Sequence, residues 1–288
     1  VQTGSSKELR LGLADGQECA LCLWGDPQSP PVLALHGWQD NAASFALLAP
    51  LLAANRCIVA PDLPGHGRSS PRPQQVPYYI WSYVREVRAI VEHFGWSRFD
   101  LLGHSMGGAV ACLYSVLYPR ELGRLILLDS VGPLATPAQQ LPAQMREALA
   151  EMESLKARQR NYYRNRDAAI QARADKGVTR EAATKLAERG VLCDDKGYYW
   201  NLDPRLRVLN PLSLCEEQVE AFIRQISCPQ LLVLAPAFWH TPARQAMLAR
   251  RLSYFPHAEL HRLQGGHHQH MEAETPQVAA LIERFLAA

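Results

Sequence analysis

The chain has no apolar run approaching the about 18 residues of a membrane-spanning helix, so stable membrane insertion is not expected. Its first residues show no charged-then-apolar signal pattern, which makes the cytoplasm the expected location. Charge of one sign is scarce. The 30 Lys and Arg against 28 Asp and Glu leave a formal charge of +2, too small to argue for a nucleic-acid partner. There is no internal repeat and no low-complexity tract. The seven cysteines are an odd, scattered set. Cys19 and Cys22 form a Cys-x-x-Cys inside an alternating run, which points them to opposite faces and argues for buried thiols over a redox or metal pair. Carboxylates are missing from one long stretch, since no Asp or Glu occurs from Ala221 through Ala258.

What is present fits a globular enzyme-sized chain. With 288 residues, 48% apolar and 20% charged, it can bury one large core and still carry an insertion. Lys7 to Leu13 and Gln17 to Trp24 flank Asp15-Gly16 as a hairpin. Val32 to Leu35, Cys57 to Ala60, Arg98 to Leu102, Arg124 to Leu128, Gln230 to Ala235 and Ala258 to Leu263 are short, near-continuous apolar runs, as in strands covered on both faces. Helical patterns separate them. Asp40 or Asn41 can cap a helix carrying Phe45, Leu48, Leu51 and Leu52. Tyr79 to Phe94 places Tyr83, Val84, Val87, Ile90, Val91 and Phe94 on one stripe. Further helices are expected over Glu216 to Ile226, from Pro242 to Leu252 and from Pro276 to Leu286. This alternation predicts an α/β fold with a mostly parallel, eight-stranded sheet flanked by helices.

Composition changes after Pro133. Arg146 to Arg207 holds 14 Lys or Arg and 10 Asp or Glu and reads as helical, from Pro142 to about Ile170 and from Thr179 to Arg189. Residues 133–212 are therefore expected to be a helical cap inserted between core parts 1–132 and 213–288. The run Arg158, Arg160, Arg164 and Arg166 reads as a solvated helix face with opposite charges nearby.

The chemistry centres on Leu101-Leu102-Gly103-His104-Ser105-Met106-Gly107-Gly108. An apolar strand enters a Gly-x-Ser-x-Gly turn and a small-residue helix leaves it, the context that lifts a serine out as a nucleophile. Ser105 needs a base, because a serine hydroxyl is weakly nucleophilic at neutral pH. His267, in the Gly265-Gly266-His267-His268-Gln269-His270 loop after the last strand, is the leading candidate. His268 and His270 compete by position, and His270 can instead brace the loop. A metal reading of the three histidines lacks accompanying carboxylate or cysteine ligands. The base needs a carboxylate on its other nitrogen. The loop after Ala235 contains Phe238 and Trp239 but no acid, so Asp129, at the end of the strand adjacent to the serine strand, takes first place and Asp62 is the fallback. Backbone N–H groups of Trp38 and Met106 stand where an oxyanion hole requires donors. Trp38, Met106 and Trp239 can line a substrate pocket or pack in the core. His36 is expected to hold its loop by hydrogen bonding.

These features resemble the α/β-hydrolase superfamily, with Pro61-Asp62-Leu63-Pro64-Gly65-His66-Gly67-Arg68-Ser69 similar to a loop of its capped, lipase-like members. More narrowly, His36-Gly37-Trp38-Gln39-Asp40-Asn41, Val76-Pro77-Tyr78-Tyr79 and Gly95-Trp96-Ser97-Arg98-Phe99 resemble the serine hydrolase-like proteins. The resemblance implies Ser105 as nucleophile, His267 as base and Trp38 with Met106 as oxyanion donors. Family members usually carry the acid after the strand that here ends near Ala235. Some haloalkane dehalogenases carry it at the position matching Asp129, yet they and the epoxide hydrolases use an aspartate nucleophile, which Ser105 replaces. The expectation is a cofactor-free carboxylesterase acting on small to medium acyl esters. Lactone, thioester, amide or C–C bond cleavage at the same serine, or a non-catalytic binding role, are the alternatives. The cap and the terminal helix offer surfaces for a homodimer.

Overall fold

The computed structural model describes residues 6–13, 16–74, 76–155, 160–208 and 210–288. Strands β1 (Lys7–Gly12) and β2 (Glu18–Trp24) pair antiparallel, and Asp15 of the expected turn lies outside the described residues. Then come β3 (Pro31–Leu35), α1 (Ala49–Leu52), β4 (Cys57–Pro61) and α2 (Val84–Phe94). The serine strand β5 (Phe99–His104) feeds α3 (Met106–Leu117), and β6 (Leu122–Leu128) lies beside it. The expected helix over Tyr79 to Phe94 begins as a 3-10 turn, Ile80–Tyr83, before α2, and α2 ends on Gly95, whose φ of 65° suits a left-handed helix stop.

Residues 133–212, expected to be helical, are not purely so. Their elements are α4 (Leu141–Leu155), α5 (Arg166–Ala174), α6 (Arg180–Gly190) and an antiparallel ribbon, β7 (Val191–Asp194) with β8 (Gly197–Trp200). The single helix expected from Pro142 to about Ile170 is two helices, because Asn165 turns extended and its side chain accepts the Ala168 N–H to start α5 afresh. Residues 156–159, including Arg158 of the basic run, lie outside the described residues. The small cluster of Ile170, Val178, Ala182, Ala183, Leu186 and Ala187 closes on Met271 of the core.

The chain returns through α7 (Glu216–Ile223), β9 (Gln230–Leu234), α8 (Pro242–Leu252), β10 (Glu259–Arg262) and α9 (Thr275–Ala287). The eight-stranded sheet runs β1-β2-β4-β3-β5-β6-β9-β10, parallel from β4 to β10 and antiparallel at β1 and β2. Alternating residues feed two layers. Leu33, Leu101, Leu127 and Leu232 meet α2 and α3 on one face, while Val32, Leu102, Ile126 and Val233 meet α1 and α9 on the other. Cys19 and Cys22 fall in opposite layers as free, buried thiols. Burying each such leucine is worth about 1.5–3 kcal/mol, so these two layers supply most of the drive to fold. Residues Met106 to Ser115 of α3 are all buried, which explains why that helix is apolar on every side.

Strand order reverses between β3 and β5. After β3 the sheet first extends to β4, then on the other side to β5, and the crevice at such a switch point opens at the carboxyl ends of the strands. The His36 loop and Ser105 follow those two strands.

Candidate active site

Ser105 is held in a conformation that a side chain rarely adopts, with φ 49° and ψ −113°. The flanking glycines make it feasible. A Cβ on Gly107 would sit 2.0 Å from the Leu35 carbonyl oxygen, and one on Gly103 would strike the Gly107 backbone. The serine turn is thus pressed directly on the end of β3. Ser105 N–H donates to the Leu128 carbonyl (3.1 Å), and Ser130 Oγ donates to the Ser105 carbonyl (2.9 Å). Gln39, Ser105 and Asp129 are the three non-glycine residues with positive φ among the described residues, and all three line one cavity. Strain concentrated in this way marks a site that the surrounding fold holds in place.

The Ser105 hydroxyl lies 3.0 Å from Nε2 of His267, and Nδ1 of His267 lies 2.5 Å from Oδ2 of Asp129. With the carboxylate as acceptor, Nδ1 carries the hydrogen and Nε2 presents its lone pair to the serine. Asp129 is fully buried, and its other oxygen accepts the Ala235 N–H (3.0 Å) and the Trp239 indole N–H (2.6 Å). Trp239 therefore does more than line the cavity, because it orients the acid. Phe238 stacks on the His267 ring with centroids 4.1 Å apart. The loop after β9, empty of carboxylates, supplies the donors and the aromatic face that frame an acid delivered by β6.

The competing candidates sit elsewhere. Asp62 is buried beside α6 and accepts from Ala42 N–H, Arg68 N–H and the Arg189 guanidinium at 2.7–2.9 Å. His268 Nε2 faces Asp40 (3.2 Å), and His270 Nε2 is 2.7 Å from Ser44 Oγ, bracing the loop. His36 accepts the Leu63 N–H on Nε2 (2.9 Å) and donates from Nδ1 to the Gly37 carbonyl (2.7 Å). Burial drives its pKa down to about 4, so it is a neutral loop clamp. Met106 opens α3, where an N–H has no intrahelical acceptor and stands at the positive end of the helix dipole. Trp38 lines the cavity with Ser105 and Met106.

Behind His267 lies a layer that the sequence did not reveal. His104 Nε2 donates to the His267 carbonyl (2.9 Å), and its Nδ1 is 3.6 Å from Asp40 Oδ2. Arg173 of α5 donates to Asp40 Oδ1 at 2.5 Å. Asp40, His104 and His268 bring potential metal-ligand atoms within 4.8 Å of one another, all buried. Here the Arg173 guanidinium already supplies positive charge to the carboxylate. Burial alone would oppose ionisation of Asp40, yet His268, His104 and Arg173 outweigh it and hold the carboxyl well below the usual carboxylate range. Helix capping, the expected task of Asp40 or Asn41, belongs to Asn41, which accepts the Ala43 N–H. The one available sequence signal was His104, a histidine immediately before the serine.

The family profile described as the alpha/beta hydrolase fold matches residues 30–274. The chain belongs to the α/β-hydrolase family. This hydrolase is 34% identical over 275 residues to a probable serine hydrolase of Drosophila melanogaster, covering 91% of this chain and 82% of that protein. It is 31% identical to the human serine hydrolase-like protein 2, covering 98% and 95% of the two chains. A crystal structure of a hypothetical protein of Pseudomonas aeruginosa PAO1 superposes with a TM-score of 0.90 at 38% identity, over 98% of this hydrolase and 100% of that chain. The thioesterase domain from the curacin biosynthetic pathway gives 0.82 at 26% identity, over 96% and 99%. The chain is accordingly a serine hydrolase-like α/β hydrolase. Among its described residues no helix is long and apolar enough to cross a membrane.

Proposed function

We propose that this hydrolase cleaves carboxylic esters through an acyl-enzyme formed on Ser105. The observation that carries the reading is His267 spanning Ser105 Oγ and the Asp129 carboxylate. As Oγ attacks the ester carbonyl, His267 Nε2 takes its proton and the carbonyl oxygen becomes an oxyanion. The Trp38 and Met106 N–H groups receive that charge, each such donor being worth about 3 kcal/mol at the transition state. The C–O bond breaks as His267 gives the proton to the departing alcohol. Water then enters, His267 removes its proton, and the acid is released with Ser105 restored. Every proton is accounted for by one imidazole, and the reading requires no cofactor. Residues 133–212 act in this reading as a cap over the site.

A second reading is thioester cleavage by the same atoms, favoured by the likeness to a thioesterase domain. The non-catalytic alternative rested on the missing acid after β9, and the Asp129 contact counts against it. The test is purified protein with short-chain oxygen esters, matched thioesters and an organophosphonate label. Turnover with labelling at Ser105, both lost in Ser105→Ala, is the expected result. No turnover on any acyl substrate and an unlabelled Ser105 would falsify the proposal.

A further inference from the structure

The cavity in front of Ser105 is about 990 Å³, at the upper end of the roughly 300–1,000 Å³ range of ligand pockets. That is far more room than an acetyl or butyryl group fills. Its inner wall includes Leu113, Val131, Ala135, Leu206, Leu214 and Met247. Several polar groups in the wall are directed at one another. Thr136 Oγ1 donates to Gln144 Oε1 (2.6 Å), and Gln144 Nε2 donates to the Asn210 carbonyl (2.6 Å) and to Ser213 Oγ (2.9 Å).

The two guanidiniums packed into the wall are paired as well. Arg251 grips Glu216 at 2.6 and 2.9 Å and also donates to the Val131 and Pro133 carbonyls. Arg205 holds Asp203 (2.6 Å) together with the Pro73 and Val76 carbonyls. Arg207 lies out at the exposed edge. A carboxylate or phosphate carried into the cavity would lose hydration where both inner guanidiniums are already engaged and where Glu147 and Glu151 add negative charge to the wall. The rim is apolar too: Trp81, Leu134 and Leu212 line the cavity and are 57%, 75% and 50% exposed. Large apolar side chains exposed together around a cavity mark a surface kept for an apolar ligand.

We infer that the preferred substrate carries a long, neutral acyl chain laid along this cavity. The inference deepens the ester-hydrolase reading and rests on it. It also moves the substrate beyond the small to medium acyl groups expected from the sequence.

The experiment is a chain-length series with the full protein, from acetyl through butyryl, hexanoyl and octanoyl to palmitoyl esters of one soluble alcohol, each below its aggregation threshold. Each methylene buried is worth about 0.8 kcal/mol, which converts to about a fourfold rise in kcat/KM per added carbon until the cavity is filled. A half-ester ending in a carboxylate should react at least tenfold more slowly than the neutral ester of equal length. Ala135→Trp, which fills part of the wall, should lower the octanoyl-to-acetyl ratio of kcat/KM tenfold or more. Turnover of the acetyl ester with kcat/KM flat or falling beyond butyryl overturns this inference and leaves the esterase reading standing. Preference for the half-ester overturns the neutral class. Absence of turnover and of Ser105 labelling throughout removes the underlying reading, and this inference with it.

Discussion

Asp129 Oδ2 and His267 Nδ1 stand 2.5 Å apart across 138 residues of sequence, joining the end of β6 to the loop after β10. Asp129 takes φ 46°, a left-handed turn at the end of β6, and its carboxylate meets the loop after β9. Two donors from that loop fix Oδ1, leaving Oδ2 to the imidazole.

The first prediction follows from this pair. In Asp129→Asn the amide oxygen stays with the Ala235 and Trp239 donors and the NH2 faces His267 Nδ1, so the imidazole is driven into the other tautomer and the imidazolium formed during attack loses its counter-ion. The expected loss in kcat is about 10⁴-fold with the fold retained, measured on a short ester and checked by circular dichroism. A variant within tenfold of wild type would remove Asp129 from the role of acid.

Trp239 gives a milder test of the same assembly. Trp239→Phe keeps the ring against the cavity but deletes the indole donor to Asp129 Oδ1. Hydrogen bonds to a charged group contribute about 1.5–3 kcal/mol, so kcat should fall roughly 10- to 100-fold while KM moves little. A pure rise in KM would show that Trp239 only lines the pocket.

Much of this was legible in the sequence because the decisive constraints are local. The Gly-x-Ser-x-Gly turn needs glycines within two residues of Ser105, and the parallel strands are short apolar runs. The absence of acids from Ala221 through Ala258 excluded the usual acid position and directed attention to Asp129. What escaped is tertiary. Nothing near Arg173 reveals that α5 will press it onto Asp40, because that contact spans 133 residues. The β7–β8 ribbon was also missed in a segment read as helical. A turn at Asp195-Lys196, the left-handed Gly197 and the β-favouring Tyr198-Tyr199-Trp200 were its signals.

Arg173 holds Asp40, and Asp40 faces His268, the residue after His267; our third hypothesis is that α5 positions the His267 loop through these contacts. Arg173→Met should lower kcat about tenfold, and Arg173→Lys should restore part of it by returning a cation to Asp40. Arg173 is then a positioning residue that touches no reacting atom. If only the melting temperature changes and kcat is untouched in both variants, the contact is structural and the coupling idea fails.

The Nε–H of Arg189, on α6, is shared between both carboxylate oxygens of the fully buried Asp62, and its Nη1 donates to Glu8. Removing one partner of a buried pair strands the other charge, a cost of about 3–5 kcal/mol. Arg189→Met should therefore lower stability by that amount in urea denaturation. A change below about 1 kcal/mol would mean that Asp62 is adequately satisfied by the Ala42 and Arg68 N–H groups alone.

Acid sensitivity is the last prediction, and its sign follows from four buried histidines. Burial drives His36 and His104 down to about 4 and His66 to about 3, and holds His270 well below its usual value of 6.5. The unfolded chain takes up protons at these groups as the pH falls through about 6.5, whereas the folded chain takes them up at His36 and His104 only near 4, at His66 only near 3, and at His270 only well below 6.5. Stability is thus fully present above pH 6.5 and drains away between there and 4, by roughly 1 kcal/mol per pH unit for each of His36, His104 and His66. Asp40, with its depressed carboxyl, adds its own loss only at lower pH, below its unfolded value of 3.8. Urea midpoints measured at fixed ionic strength should fall steeply from pH 7 to pH 5. His270→Gln removes one titrating group from the buried layer and should make that slope shallower, even if it lowers stability at pH 7. Equal midpoints at pH 7 and pH 5 in the parent protein would mean that these histidines take up protons in the folded state and that the neutral clamps around the His267 loop are not neutral.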